Sequence, residues 1–140
     1  MKRFIVDASV AIKWYVPEIH SEAAARLLDP EIHLSAPDLI YPEFGNILWK
    51  KMRRGQILGE EAVEAVAAFR KVGIDSYPSD VLLPSAFELA AALDRTVYDC
   101  MYLAVAIARD CPLVTADQKF HDALLKTSLA GQIHWIEHPL

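Results

Sequence analysis

Short apolar runs alternate along the chain with longer stretches whose apolar residues recur at helical spacing. Phe4-Ile5-Val6 is such a run; it ends at Asp7 and reads as a buried strand. Ala8 to Val16 reads as a helix that stops at Pro17. Ser21 to Leu28 is a second, Ala- and Leu-rich helix with Ser21 as its candidate N-cap. Ile32 to Ser35 is the next strand, closed by Pro37. The longest helix, about Asp38 to Arg54, repeats Ile40, Phe44, Ile47 and Leu48 on one face and ends at Gly55. Glu60 to Val72 is helical up to Gly73, and Ile74 to Tyr77 is a third strand. Pro84 to Leu93 is a helix with Pro84 in its first turn, where proline is tolerated. Thr96 to Arg109 is apolar nearly all round, which predicts a buried helix. Leu113-Val114-Thr115 is a fourth strand, Asp117 to Leu125 a helix, and Ile133 to Ile136 a last strand at an edge.

Strands this short and apolar, separated by helices, predict an α/β fold. The sheet should be mostly parallel, covered on both faces and joined by right-handed crossovers. No repeat, low-complexity tract or linker interrupts the pattern, so residues 1–140 are expected to form a single domain.

Composition narrows the function classes. A hydrophobic content of 54% supports a full core and excludes global disorder. No apolar run approaches the ~20 residues that span a bilayer. The opening Met1 to Asp7 is too soon interrupted by an acid to be a signal peptide. A cytoplasmic location is the resulting expectation. Cys100 and Cys111 form no CxxC pair and are expected to be reduced. The net charge of -5 counts against a broadly basic nucleic-acid surface. That objection weakens if several acids gather in one pocket and hold cations.

The acids do fall in a pattern. In an open parallel sheet, ligands bind beyond the carboxyl ends of the strands. Asp7 ends the first strand, Asp117 lies just beyond the fourth, and Glu43 lies near the start of the helix that leaves the second. The helix carrying Asp99 joins the fourth strand through only Asp110-Cys111-Pro112, so the two run antiparallel and Asp99 returns to the same edge. Each acid also has a capping alternative. Asp7 with Ser9, Thr96 with Asp99, Thr115 with Gln118, and Asp117 alone all have cap spacing, and Glu43 suits the positive end of its helix. Asp99, however, is the only charge between Val97 and Ala108, in a helix predicted to be buried. A buried carboxylate needs a cation or strong hydrogen bonds. All-oxygen ligands favour Mg2+ or Mn2+ over zinc. Two such ions about 4 Å apart suit phosphodiester hydrolysis by an activated water, without a covalent nucleophile.

Other side chains read less sharply. Asn46 shares a helix face with Glu43, and Ser9 and Thr115 either position ligands or cap helices. Lys50-Lys51-Met52-Arg53-Arg54, the only dense basic run, either matches a helix dipole or contacts an RNA backbone. Lys13 reaches either a phosphate or only the surface. The five histidines have no metal-ligand spacing. Trp14, Tyr15 and Trp49 read as core or dimer-interface residues rather than base-stacking platforms.

Four stretches resemble the PIN-domain nucleases, with the VapC-like toxins of toxin–antitoxin pairs as the closest subgroup. They are Phe4 to Glu18 (FIVDASVAIKWYVPE), Pro42 to Trp49 (PEFGNILW), Thr96 to Ala104 (TVYDCMYLA) and Val114 to Phe120 (VTADQKF). They occur in the family's order over almost the whole chain, and the last is the most specific. The resemblance implies a three-layer α/β/α sandwich and Mg2+- or Mn2+-dependent endoribonuclease activity on RNA. It also implies a homodimer and inhibition by a VapB-like antitoxin. The family's four acids carry over onto Asp7, Glu43, Asp99 and Asp117, and its polar helpers onto Ser9, Asn46 and Thr115. Two alternatives stand beside it: an RNA-processing nuclease of the same fold without a toxin role, and a phosphotransfer or phosphatase domain on a similar sheet. The latter would prefer an acid where Ser9 stands, or a phosphoacceptor after a central strand, where only Asp75 is available.

Overall fold

The computed structural model describes residues 1–140. The five expected strands form as β1 (Lys2–Val6), β2 (Ile32–Pro37), β3 (Asp75–Tyr77), β4 (Leu113–Thr115) and β5 (Ile133–Trp135). They make one sheet in the order β3-β2-β1-β4-β5, parallel throughout. The helices are α1 (Ala8–Ala11), α2 (Ser21–Ala25), α3 (Ile40–Arg53), α4 (Gly59–Phe69), α5 (Ser79–Leu93), α6 (Val97–Arg109) and α7 (Gln118–Leu125). The chain steps outward from β1 to β2 and β3, then crosses back to β4 and β5. With right-handed crossovers, that reversal places α1–α4 on one face and α5–α7 on the other, giving the α/β/α sandwich. Ile5, Val6, Leu113 and Val114 have no exposed surface, as expected for central strands covered on both sides.

The order reverses between β1 and β4, and Val6 lies beside Val114 there. The carboxyl ends of these two strands therefore open onto the crevice where α/β sheets bind ligands. α6 packs against β1, β2 and β4, with α5 on its outer side. Residues Cys100 to Ala106 of α6 are all buried, so the prediction from its apolar surface holds.

Several boundaries differ from the sequence reading, each for an identifiable reason. The segment after Asp7 is α-helical only to Ala11 and tightens into a 3-10 turn, Ile12–Trp14, ahead of Pro17. Ser21 is not an N-cap. It is the first residue of α2, and its hydroxyl accepts from the Glu18 N–H at 3.0 Å, while His20 takes the turn with φ of 68°. β2 extends to Pro37, which pairs with Tyr77; pairing with β1 has already ended at Ser35, so the missing N–H interrupts no ladder there. α5 starts at Ser79, five residues before the expected Pro84. Asp38, distant in sequence, accepts hydrogen bonds from the Ser79 N–H (3.1 Å) and hydroxyl and anchors that start. Asp38 is thereby lost to α3, which begins at Ile40.

The aromatic residues divide. Trp14 and Tyr15 pack inward: Trp14 Nε1 donates to the Ala24 carbonyl at 2.8 Å, and Tyr15 sets its edge against Phe44 and Phe69, which stack with centroids 4.0 Å apart. Trp49 remains 47% exposed. No helix is long and apolar enough to cross a membrane.

Candidate active site

Asp7 is the first residue beyond β1 and the N-cap of α1. Its Oδ1 accepts from the Val10 N–H at 2.9 Å and from the Ser9 hydroxyl at 2.7 Å. Asp117 caps α7 in the same way. Its Oδ1 accepts from the Phe120 N–H at 3.1 Å, and the buried Thr115 hydroxyl accepts from the Asp117 N–H at 3.0 Å. Thr96 caps α6 by accepting from the Asp99 N–H at 3.1 Å. Capping and site roles therefore coexist. In Asp117 one oxygen fixes the side chain to its helix while Oδ2 faces across the crevice to Arg95.

Glu43 projects from the first turn of α3 and accepts a hydrogen bond from the Tyr102 hydroxyl at 2.5 Å. Tyr102 lies one turn after Asp99 on α6, so this contact ties the second-strand helix to the helix of the third acid. The sequence reading assigned Tyr102 no role; its i, i+3 spacing from Asp99 is the signal it left.

The four acids share one edge and one another's field. Burial raises the Asp7 carboxyl to about 6, its hydrogen bonds from Ser9 and Val10 oppose the rise, and the charges of Asp99 and Glu43 add to it. Glu43 and Asp99 are also raised, chiefly by burial, with Asp99 acting on Glu43 and Asp117 on Asp99. Tyr102 is pushed far up by its own burial and by the carboxylate it donates to, so it stays a neutral donor.

The expectation that Asp99 is buried and unpaired is corrected. Its side chain is 44% exposed because it projects from the first turn of α6, ahead of the buried stretch. Arg95 Nη2 lies 3.4 Å from Asp99 and 3.1 Å from Asp117, so one guanidinium joins the two acids. Arg95 was not singled out from the sequence, although it stands four residues before Asp99.

The helpers divide as well. Ser9 and Thr115 hold Asp7 and Asp117, whereas Asn46 is exposed at the rim, one turn from Glu43. Lys13 is buried rather than at the surface. It pairs with Glu18 at 3.0 Å, and Lys51 reaches the same carboxylate at 2.6 Å. These two lysines, with Ser9, Ile47 and Asp117, line a hollow of about 440 Å³ that adjoins the acids. Both cysteines are free and buried, and burial raises their thiols, Cys100 to about 11.

The donor set fits a hard divalent cation. It is all oxygen, it carries four carboxylates, and within the chain only Arg95 bridges two of them. In the present rotamers no three of these groups converge closely enough to hold an ion jointly. Glu43 is turned to Tyr102, and Asp99 and Asp117 are turned to Arg95.

Comparison with known proteins places this arrangement. The PIN domain family matches residues 4–123. Ribonuclease VapC3 of Pyrobaculum aerophilum is 36% identical over 121 residues, covering 84% of this chain and 91% of that protein. Among solved structures, PAE2754 from Pyrobaculum aerophilum superposes with a TM-score of 0.68 at 26% identity, over 97% of this chain and 85% of the other. VapBC2 from Rickettsia felis, solved with a DNA fragment from its promoter, gives a TM-score of 0.66 over 95% of this chain and 98% of the other. At 13% identity it is a likeness of fold alone.

Proposed function

The chain belongs to the PIN-domain family, and we propose that it is the ribonuclease toxin of a toxin–antitoxin pair, cleaving RNA at Asp7, Glu43, Asp99 and Asp117. The observation that carries this reading is the meeting of four carboxylates at the β1/β4 switch point. There burial, and to a lesser extent the neighbouring charges, raise the carboxyls of Asp7, Glu43 and Asp99, which favours a bound cation. When bound, Mg2+ or Mn2+ supplies the charge neutralisation and the activated water that phosphodiester hydrolysis needs. The four acids hold it. Ser9 fixes Asp7, Thr115 fixes the loop that presents Asp117, and Tyr102 orients Glu43. Asn46, at the rim, is placed to meet the RNA.

The substrate's phosphates have a path. Lys13 and Lys51 face the hollow beside Asp117, and the basic end of α3 continues outward through Arg53 and Arg54, with the Arg53 guanidinium 5.0 Å above the Trp49 ring. An overall charge of -5 is compatible with RNA binding because the acids are concentrated where cations bind.

A VapB-like antitoxin is the proposed partner. A groove of about 460 Å³ between α3 and α4, lined by Tyr41, Phe44, Val66 and Phe69, suits an apolar segment of it. A cationic side chain from the same partner would oppose the acids. Residues 1–140 act as one domain in this account, and two copies associate through the exposed apolar residues of α5. Expression of the chain from an inducible promoter is expected to arrest growth, and co-expression with the product of the neighbouring gene to restore it. A chain harmless on its own, with no partner recovered from its host, removes the toxin role and leaves an RNA-processing nuclease.

A further inference from the structure

Arg95 occupies a position that its neighbours over-determine. It lies in the tight connection between α5 and α6, where Asp94 takes φ of 53° and Thr96 caps the next helix. Its guanidinium is held on three sides: by Asp99 on α6, by Asp117 at the start of α7, and by the Phe120 ring, 4.3 Å from the guanidinium carbon. Its Nε is buried and has no acceptor within the protein. The guanidinium thus stands between two of the four proposed metal ligands and offsets one of their two charges. The two cations cannot both take the same carboxylate oxygens.

We infer that Arg95 exchanges partners when the site takes up metal: it is a stand-in cation on Asp99 and Asp117 in the metal-free protein, and would bind the scissile phosphate once an ion takes those acids. Three features support the exchange. Phe120 holds the guanidinium face by a cation–π contact that does not depend on the carboxylates, so loss of the ion pairs leaves Arg95 at the rim of the site. Arginine presents several fixed donors in a fork that matches phosphate, so the Nη2 donor released by Asp99 and Asp117 is available to one. The exchange also keeps a cation on Asp99 and Asp117 in both states, which limits the repulsion between them. The inference rests on the metal-dependent ribonuclease reading above.

The test measures Mn2+ binding and RNA cleavage separately. Arg95→Met keeps an apolar stem against Phe120 and removes the charge. Titration calorimetry with Mn2+ alone is expected to show about fivefold tighter binding than wild type, because a competing ion pair is gone. With saturating Mn2+, kcat for an RNA oligonucleotide is expected to fall about a hundredfold. A purely structural arginine would leave kcat at saturating Mn2+ unchanged on removal. Unchanged or weaker Mn2+ affinity overturns the inference, as does wild-type kcat at saturating Mn2+. Should Arg95→Met fail to fold by circular dichroism, Arg95→Lys carries the test. Its point charge still competes with Mn2+, so affinity stays within about twofold of wild type, but it lacks the fork and kcat falls about tenfold; an Arg95→Lys protein with wild-type kcat overturns the inference. Wild-type protein that neither binds Mn2+ nor cleaves RNA overturns the metal-nuclease reading itself, and the role of Arg95 with it.

Discussion

Asp7 concentrates the electrostatic cost of the site in a single side chain. Its carboxyl is raised to about 6 by burial and by Asp99 and Glu43, so the metal-free fold holds its proton more tightly than the unfolded chain does. Stability from this group therefore falls as pH rises from about 4 through 6, and above that the folded state carries a penalty on the order of 2–3 kcal/mol. Asp7→Asn keeps the shape and the Val10 cap while removing the charge. The variant is expected to melt several degrees above wild type in EDTA at pH 7.5 and to show no such gain at pH 4. A variant that melts lower by the same amount at both pH values contradicts the repulsion account. At this scale the acids were legible from the sequence because each sits at a strand end or a helix start that the local pattern marks. Arg95 and Tyr102 were not. Their roles depend on which helices face each other across the crevice, and each reads locally as an ordinary surface charge or core aromatic.

Elements were legible wherever their signals are local. Thr96 announces α6, and Gly55, with φ of 74°, ends α3. The first five residues of α5 escaped because its start is fixed by Asp38 from another part of the chain, and because proline inside a helix argues for a boundary. Pro84 is the sixth residue of α5, exposed, and it withholds the N–H that would bond the Asp80 carbonyl. Pro84→Ala restores that bond without disturbing packing. It should stabilise the protein by roughly 1–3 kcal/mol, raising the melting temperature by about 5 °C. An unchanged or lower melting temperature would contradict this cost for the missing bond. For the extra strand residues of β2 the explanation is likewise tertiary: Pro37 is tolerated because β1 stops pairing two residues earlier.

At the scale of the whole molecule, the alternation of strands and helices was enough to anticipate a parallel sheet with its ligand edge at the carboxyl ends. It did not say which surfaces stay apolar after folding. Trp14 and Tyr15 are taken into the core, whereas Leu83 and Phe87 of α5 and Tyr98 of α6 remain exposed, Phe87 at 65%. α5 and α6 pack together, so these residues offer an apolar surface suited to a second copy. Light scattering at micromolar concentration is expected to give twice the 15.7 kDa chain mass, and Phe87→Asp to shift it toward the monomer. A wild-type monomer under those conditions removes the dimer from the account.

The central claim is that four carboxylates at the end of β1 and β4 hold the metal that cleaves RNA. It is tested most directly by incubating one RNA oligonucleotide with purified wild type and Asp99→Asn, each in Mn2+, in Mg2+ and in EDTA. Asp99 is the acid of choice because it is half-exposed, so its amide leaves the buried part of α6 intact. Wild type is expected to cleave in either metal and not in EDTA, and Asp99→Asn to lose at least about a hundredfold with its melting curve preserved. Undiminished cleavage in EDTA, or wild-type turnover by Asp99→Asn, would contradict that claim.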